Sequence, residues 1–284
     1  MERAPHNRWG IGQDARQKLV QSKNFPIFDG SQEWLLWLGC GLSFDAHGQL
    51  VAVAMKQILD AAGVSFGVLE RETCCGVPAR RAGNEYLYLQ LAESLIEALK
   101  ENEVKKILSC CPHCTTMLDK DYRRIPAYTE LGVRVMHHTE LIPELLHKLQ
   151  FERSAKTVTY HDPCYLARHR GITQQPRQIL SKIGVSVKEA GQHGRNTFCC
   201  GAGGTQLFIA DDRSEPNKER INQRRLGQLG ETKATTIVVA CPYCPIMLRD
   251  AAGAAGQDSI AILDIAEMVA MRLSTNVAPT AWAR

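Results

Sequence analysis

Ten cysteines stand in two copies of one five-cysteine pattern, and no other feature limits the fold of the chain as strongly. A lone cysteine (Cys40), the triplet Cys74-Cys75-Gly76 and the element Cys111-Pro112-His113-Cys114 recur in order as Cys164, Cys199-Cys200-Gly201 and Cys241-Pro242-Tyr243-Cys244. The offsets are 124, 125 and 130 residues, so the order is kept while one segment lengthens. Around the last element the match widens: Ile107-Leu108-Ser109 and Met117-Leu118 in the first half answer to Ile237-Val238-Val239 and Met247-Leu248 in the second. Such recurrence marks a repeated domain of roughly 120 residues, an ordinary domain size.

Within each half, short apolar runs alternate with amphipathic stretches, the pattern of parallel strands joined by crossover helices. The fold class is α/β, with two tandem homologous repeats, each a small parallel sheet flanked by helices. Strands are predicted over 34–39, 65–69, 106–109 and 133–137, and again over 157–161, 185–188, 236–240 and 260–263. Helices in the first half are predicted over 50–62, 84–100, 115 to about 123, and 140–149. The domains are then 33–150 and 157–274, with a linker over 151–156 and a tail over 275–284. Residues 1–32 read as a polar, partly extended arm with turn signals at Asn24-Phe25-Pro26 and Asp29-Gly30. Every cysteine element falls just after a strand or in the segment leading from a strand to a helix, and the carboxyl ends of parallel strands are where such folds build their sites.

Lys and Arg number 34 against 30 acidic residues, a balance that gives no basis for nucleic-acid or anionic-membrane binding. No apolar run is long enough for a membrane span and no signal peptide is visible, so the predicted location is the cytoplasm. Eleven cysteines in a reducing compartment point to metal or redox chemistry rather than disulfides. Thiolates are soft ligands, and a set of five exceeds the four that tetrahedral zinc takes, which favours iron-sulfur clusters. Structural zinc on the Cys-x-x-Cys elements and a thiol-only redox role are the alternatives.

Other residues admit two readings. Gly76, Gly201 and Gly203 would let backbone approach an inorganic core, or simply form tight turns. Pro112 and Pro242 suit the first turn of a helix. Cys110, whose counterpart is Ala240, reads as a small buried residue. His161, and the His137-His138 pair, would tune a cluster or move protons, or be histidines satisfied within the structure. Arg168-His169-Arg170 would attract an anionic substrate or form a solvated surface.

The full pattern, together with Tyr160-His161-Asp162-Pro163-Cys164-Tyr165 and Phe198-Cys199-Cys200-Gly201-Ala202-Gly203-Gly204, resembles the Cys-Cys-Gly domain family typified by the B-type subunit of heterodisulfide reductase. The likeness covers about 34–273. It implies a noncubane 4Fe-4S cluster on each set: Cys40, Cys74, Cys75, Cys111 and Cys114 for the first, and Cys164, Cys199, Cys200, Cys241 and Cys244 for the second. It further implies an oxidoreductase acting on sulfur groups within a complex, splitting a disulfide by one-electron steps in a cavity shared by both clusters. Sulfane-sulfur chemistry is a variant of this reading. The second reading is an electron-transfer module of a flavin-linked dehydrogenase complex of the glycolate/lactate or electron-transfer-flavoprotein type. The segment Asn7-Arg8-Trp9-Gly10-Ile11 resembles the joint to a ferredoxin-like module in fused relatives. No ferredoxin cysteines precede it, so the expected partners are a separate ferredoxin-like heterodisulfide reductase C-type subunit and a flavoprotein subunit. The second repeat has 40 residues between Cys200 and Cys241 against 35 at the matching place, which alters the cavity and with it the substrate. The sequence assigns no catalytic residue beyond the cluster ligands.

Overall fold

The computed structural model describes residues 9–152, 155–203, 205–208 and 219–274. The predicted tail, the start of the arm with Asn7 and Arg8, part of the linker, and Gly204 lie outside them.

Each repeat places its first apolar run second in a four-stranded parallel sheet. In the first, β1 (Trp34–Trp37) lies between β2 (Phe66–Gly67) and β3 (Lys106–Ser109), and β4 (Arg134–His137) pairs with β3. The second repeats the order with β5 (Lys156–Tyr160) between β6 (Val185–Lys188) and β7 (Thr236–Val239), and β8 (Ala261–Asp264) outside. The chain moves one way from β1 to β2, then crosses back to β3. The order therefore reverses between β1 and β3, and between β5 and β7, and the strand ends open a crevice there.

Crossover helices cover both faces. α2 (Gly39–Phe44) and α3 (Ala46–Ala61) follow β1, while α4 (Val77–Arg81) and α5 (Glu85–Glu101) follow β2. Alternation along the strands sorts the core in two: Leu35, Trp37 and Ile107 pack with Tyr88, Leu91 and Leu95 of α5, whereas Leu36 and Leu108 pack with Val51, Met55 and Ile58 of α3. The helix predicted from Thr115 breaks into α6 (Pro112–Thr116), a π-type turn (Met117–Asp121) and a 3-10 turn (Tyr122–Arg124), followed by α7 (Pro126–Glu130) and α8 (His138–Leu145). A second π-type turn, Tyr165–His169, comes directly after Cys164. Turns of this kind concentrate at functional sites. The second repeat continues with α9 (Gln174–Lys182), α10 (Ile221–Gly230), α11 (Tyr243–Ala254) and α12 (Ile265–Ala270). The repeats join by an exchange of equivalent helices, α3 against α12 and α8 against α9.

The described part of the arm, residues 9–32, is helical over ten residues as well as partly extended. α1 (Gln13–Ser22) forms within it and buries Arg16, Leu19 and Val20, while Phe25 and Phe28 are also buried and Ile27 bridges to Val68. The segment is polar in count, but its few apolar side chains fall together on the first repeat. Among the described residues no helix is long and apolar enough to cross a membrane.

Candidate metal centres

Cys40 lies in the first turn of α2, and the turn is held by a carboxylate from the segment that follows β2. Glu72 Oε2 accepts the Gly39 N–H at 2.7 Å, and Oε1 accepts the Leu38 N–H at 3.1 Å and Arg16 Nη2 at 2.6 Å. Arg16 also donates to the Leu69 carbonyl at 2.8 Å and to Ser43 Oγ at 2.5 Å. Burial pushes the Glu72 carboxyl up and the Arg16 guanidinium down, and each is opposed by the other's charge. The second repeat solves the same problem differently. Asp162, two residues before Cys164, accepts Arg177 at 2.9 and 2.8 Å and the Gly194 N–H at 2.7 Å.

The ten cysteines named from the sequence come together in two groups. In the first, Cys40 interacts with Cys74, Cys75 with Cys74 and, at 3.3 Å, with Cys114, and Cys111 with Cys114. In the second, Cys164 and Cys199 sulfurs lie 3.9 Å apart, Cys199 interacts with Cys200, Cys200 with Cys244, and Cys241 with Cys244. Only Cys164 and Cys199 are partly exposed, so the second group is reached from their side. Cys110 is fully buried in the opposite core layer, apart from both groups.

Crowding splits the thiols. Hydrogen bonding from sulfur neighbours pulls Cys75 down to about 6 and Cys199 to about 2, and the same neighbours push Cys40, Cys114 and Cys164 up. Five adjacent thiols lose their protons together only against strong positive charge, which a multi-iron core supplies. The donor set therefore fits an iron-sulfur cluster better than it fits a free thiol site.

The two groups touch through residues that sequence reasoning passed over. His113 Nδ1, from the first Cys-Pro-x-Cys, lies 4.0 Å from Cys111 Sγ and 3.7 Å from Cys241 Sγ of the other repeat. Burial alone would lower this imidazole, but the Cys241 and Cys111 sulfurs outweigh it and raise it to about 10. Tyr243, at the same position of the second element, places its hydroxyl 3.0 Å from Cys40 Sγ. The rings of His113 and Tyr243 meet edge-on at 5.2 Å, and His113 lies against Tyr165 at 3.9 Å. Gly41 admits this crossing, since a Cβ there would come 2.9 Å from Pro242. The only sequence signal was an aromatic side chain at x in both elements.

The remaining candidates separate cleanly. A ring nitrogen of His161 and the sulfurs of Cys200 and Cys244 lie within 4.8 Å of one another, and burial with Arg225 pushes His161 down to about 3. His137 instead caps α8 and meets the Cys110 carbonyl at 3.3 Å, and His138 pairs with Asp264 at 3.1 Å. Arg170 is tied to Asp119 and Glu140, and Arg168 to the Arg195 and Thr197 carbonyls. Gly76 (φ 79°) and Gly201 (φ 93°) take left-handed turns that other residues rarely adopt, and a Cβ at Gly76 would lie 2.8 Å from the Tyr88 ring. Gly203 faces open space. Pro112 opens α6, whereas Pro242 stands one residue before α11.

The cysteine-rich domain called CCG matches this chain twice, over 34–119 and 158–249. The chain is 36% identical over 279 residues to EtfAB:quinone oxidoreductase of Syntrophomonas wolfei and 37% identical over 277 residues to a probable membrane-anchored ferredoxin of Chromohalobacter salexigens. It covers 38% and 41% of their lengths, with 93% and 95% of its own length matched. The D-type subunit of the dihydromethanophenazine:CoB–CoM heterodisulfide reductase of Methanosarcina acetivorans is 34% identical, with 94% of this chain and 70% of that relative aligned. The chain belongs to the CCG cysteine-rich domain family, with the domain in two copies and heterodisulfide reductase subunits among its relatives.

Proposed function

We propose that the chain is the iron-sulfur subunit of a heterodisulfide-reductase-like oxidoreductase, with one noncubane 4Fe-4S cluster in each repeat. Domain 33–150 would hold its cluster on Cys40, Cys74, Cys75, Cys111 and Cys114, and domain 157–274 on Cys164, Cys199, Cys200, Cys241 and Cys244. The observation that carries the reading is the meeting of both groups at His113, within reach of Cys111 and Cys241 at once. A disulfide entering there would face both sites. Its reduction consumes two electrons and two protons and yields two thiols, and sulfane sulfur would be handled at the same place. Bound clusters supply electrons singly and iron with affinity for sulfur. The protein supplies position: His113 Nδ1 lies between the sites, Tyr243 holds its hydroxyl on Cys40, and buried aromatic rings keep water out.

Partners in this reading are a ferredoxin-like subunit of the heterodisulfide reductase C type and a flavoprotein subunit, assembled in the cytoplasm. The Syntrophomonas relative, named for electron-transfer flavoprotein and quinone, favours a second reading in which the clusters only relay electrons for a flavin-linked dehydrogenase. Anaerobic electron paramagnetic resonance of the reduced protein, before and after adding low-molecular-weight disulfides, separates the two. The first reading predicts oxidation and a changed signal with at least one disulfide. An unchanged signal with all of them leaves relay alone.

A further inference from the structure

We propose that one ring N–H at the end of each repeat's first strand, Trp37 Nε1–H in the first and His161 Nε2–H in the second, donates a hydrogen bond to a sulfur of the cluster assembled beside it. The proposal rests on the reading that both cysteine groups hold iron-sulfur clusters.

Trp37 ends β1 and His161 directly follows β5. They are 124 residues apart, the same offset that separates Cys40 from Cys164, and each stands three residues before its cysteine. Both side chains are buried, at 1% and 0% exposure, and neither Trp37 Nε1 nor His161 Nε2 has a hydrogen-bond partner among the described residues. A buried N–H without an acceptor forfeits its hydration with nothing in return, so two of them at equivalent positions call for a common kind of acceptor.

Geometry places that acceptor in the metal sites. A Cβ added at Gly39 would meet Cys114 Sγ at 3.3 Å and Trp37 Nε1 at 3.4 Å, so indole and thiol border the same space, which glycine leaves free. His161 has a ring nitrogen within 4.8 Å of Cys200 and Cys244 sulfurs.

The role at this position follows from its chemistry. Indole is a donor only and cannot ligate iron. Imidazole can do either, but Arg225 Nε donates to His161 Nδ1 at 3.0 Å. Arginine offers no acceptor, so Nδ1 carries the lone pair and the proton of the neutral ring sits on Nε2. Arg225 thereby makes His161 a donor instead of a ligand, matching Trp37. Hydrogen bonds to cluster sulfurs favour the reduced, more negative state and raise the reduction potential.

The full chain, unfolded and reconstituted anaerobically in D2O and in H2O, tests this by hyperfine spectroscopy of the wild type and by redox titration of Trp37→Phe and His161→Phe. The proposal predicts exchangeable deuteron couplings at both clusters and only weak nitrogen coupling from His161. It also predicts a lower midpoint for the first cluster alone in Trp37→Phe and for the second alone in His161→Phe, with iron retained. Unshifted midpoints in variants that keep their iron would overturn it, as would the strong nitrogen coupling of a directly bound imidazole. If His161→Phe fails to hold iron, the wild-type couplings and Trp37→Phe still decide. A wild type that binds no iron-sulfur cluster defeats the underlying reading; clusters without these couplings defeat only the donors.

Discussion

Glu72→Gln tests whether the carboxylate behind Cys40 is what shapes the first site. The native group accepts three donors, Arg16 Nη2, Leu38 N–H and Gly39 N–H, in an ion pair whose side chains are 1% and 3% exposed. Glutamine keeps the shape but replaces one acceptor oxygen with NH2, which then faces a donor, and the Arg16 charge stays buried without its partner. Breaking a buried pair from one side costs about 3–5 kcal/mol. At about 2–4 °C per kcal/mol for a chain near this size, the melting temperature of the metal-free, reduced protein should fall by roughly 6–20 °C. The control is Glu33→Gln, whose exposed pair with Lys106 is worth at most about 1 kcal/mol. In the reconstituted protein, Glu72→Gln should weaken the first cluster and spare the second. A melting temperature unchanged from the control, with full iron at the first site, would refute the role given to Glu72.

Three further outcomes are expected. Cys110→Ala should leave iron and sulfide content unchanged and destabilise by only about 1–2 kcal/mol, because this thiol packs in the layer away from both groups; lost iron would contradict that placement. Tyr243→Phe should alter the spectrum of the first cluster although the residue belongs to the second repeat, since its hydroxyl lies on Cys40; a change confined to the second cluster would deny the crossing. His137 is held neutral, its imidazole pushed well down by burial and then by His138 and Arg170. The unfolded chain binds this proton below a pH of about 6.5 and the folded chain does not, so stability falls with falling pH by up to about 1.4 kcal/mol per unit. His137→Asn keeps a helix-capping side chain and should flatten the slope in urea melts of the metal-free protein, whereas an unchanged slope would show that His137 is not the group responsible.

The duplication and the strand positions were readable because cysteine spacing and apolar alternation are local patterns. All eight strands begin and end within two residues of the predicted places, β2 shortening at both ends to Phe66–Gly67. What escaped notice was what the two repeats do to each other. His113 and Tyr243 stand at the x position of Cys-Pro-x-Cys, and nothing local says that each ring crosses to the partner repeat's sulfurs. Arg16 and Glu72 are 56 positions apart, and a buried ion pair between a polar arm and a loop leaves no periodic trace. α1 was missed because hydrophobic count, rather than placement, dominated that segment. The π-type turns after Cys114 and Cys164 likewise reflect tertiary demands on backbone that propensity alone would continue as a helix.

The central claim is that two separate thiol groups each enclose iron and sulfide. Iron and acid-labile sulfide counts with Mössbauer spectra, on the wild type and Cys200→Ser, address it most directly. The account predicts two multi-iron centres, of which the substitution removes the one in the second repeat and leaves the other. Zinc in place of iron, or equal loss of both centres on that one substitution, would contradict it.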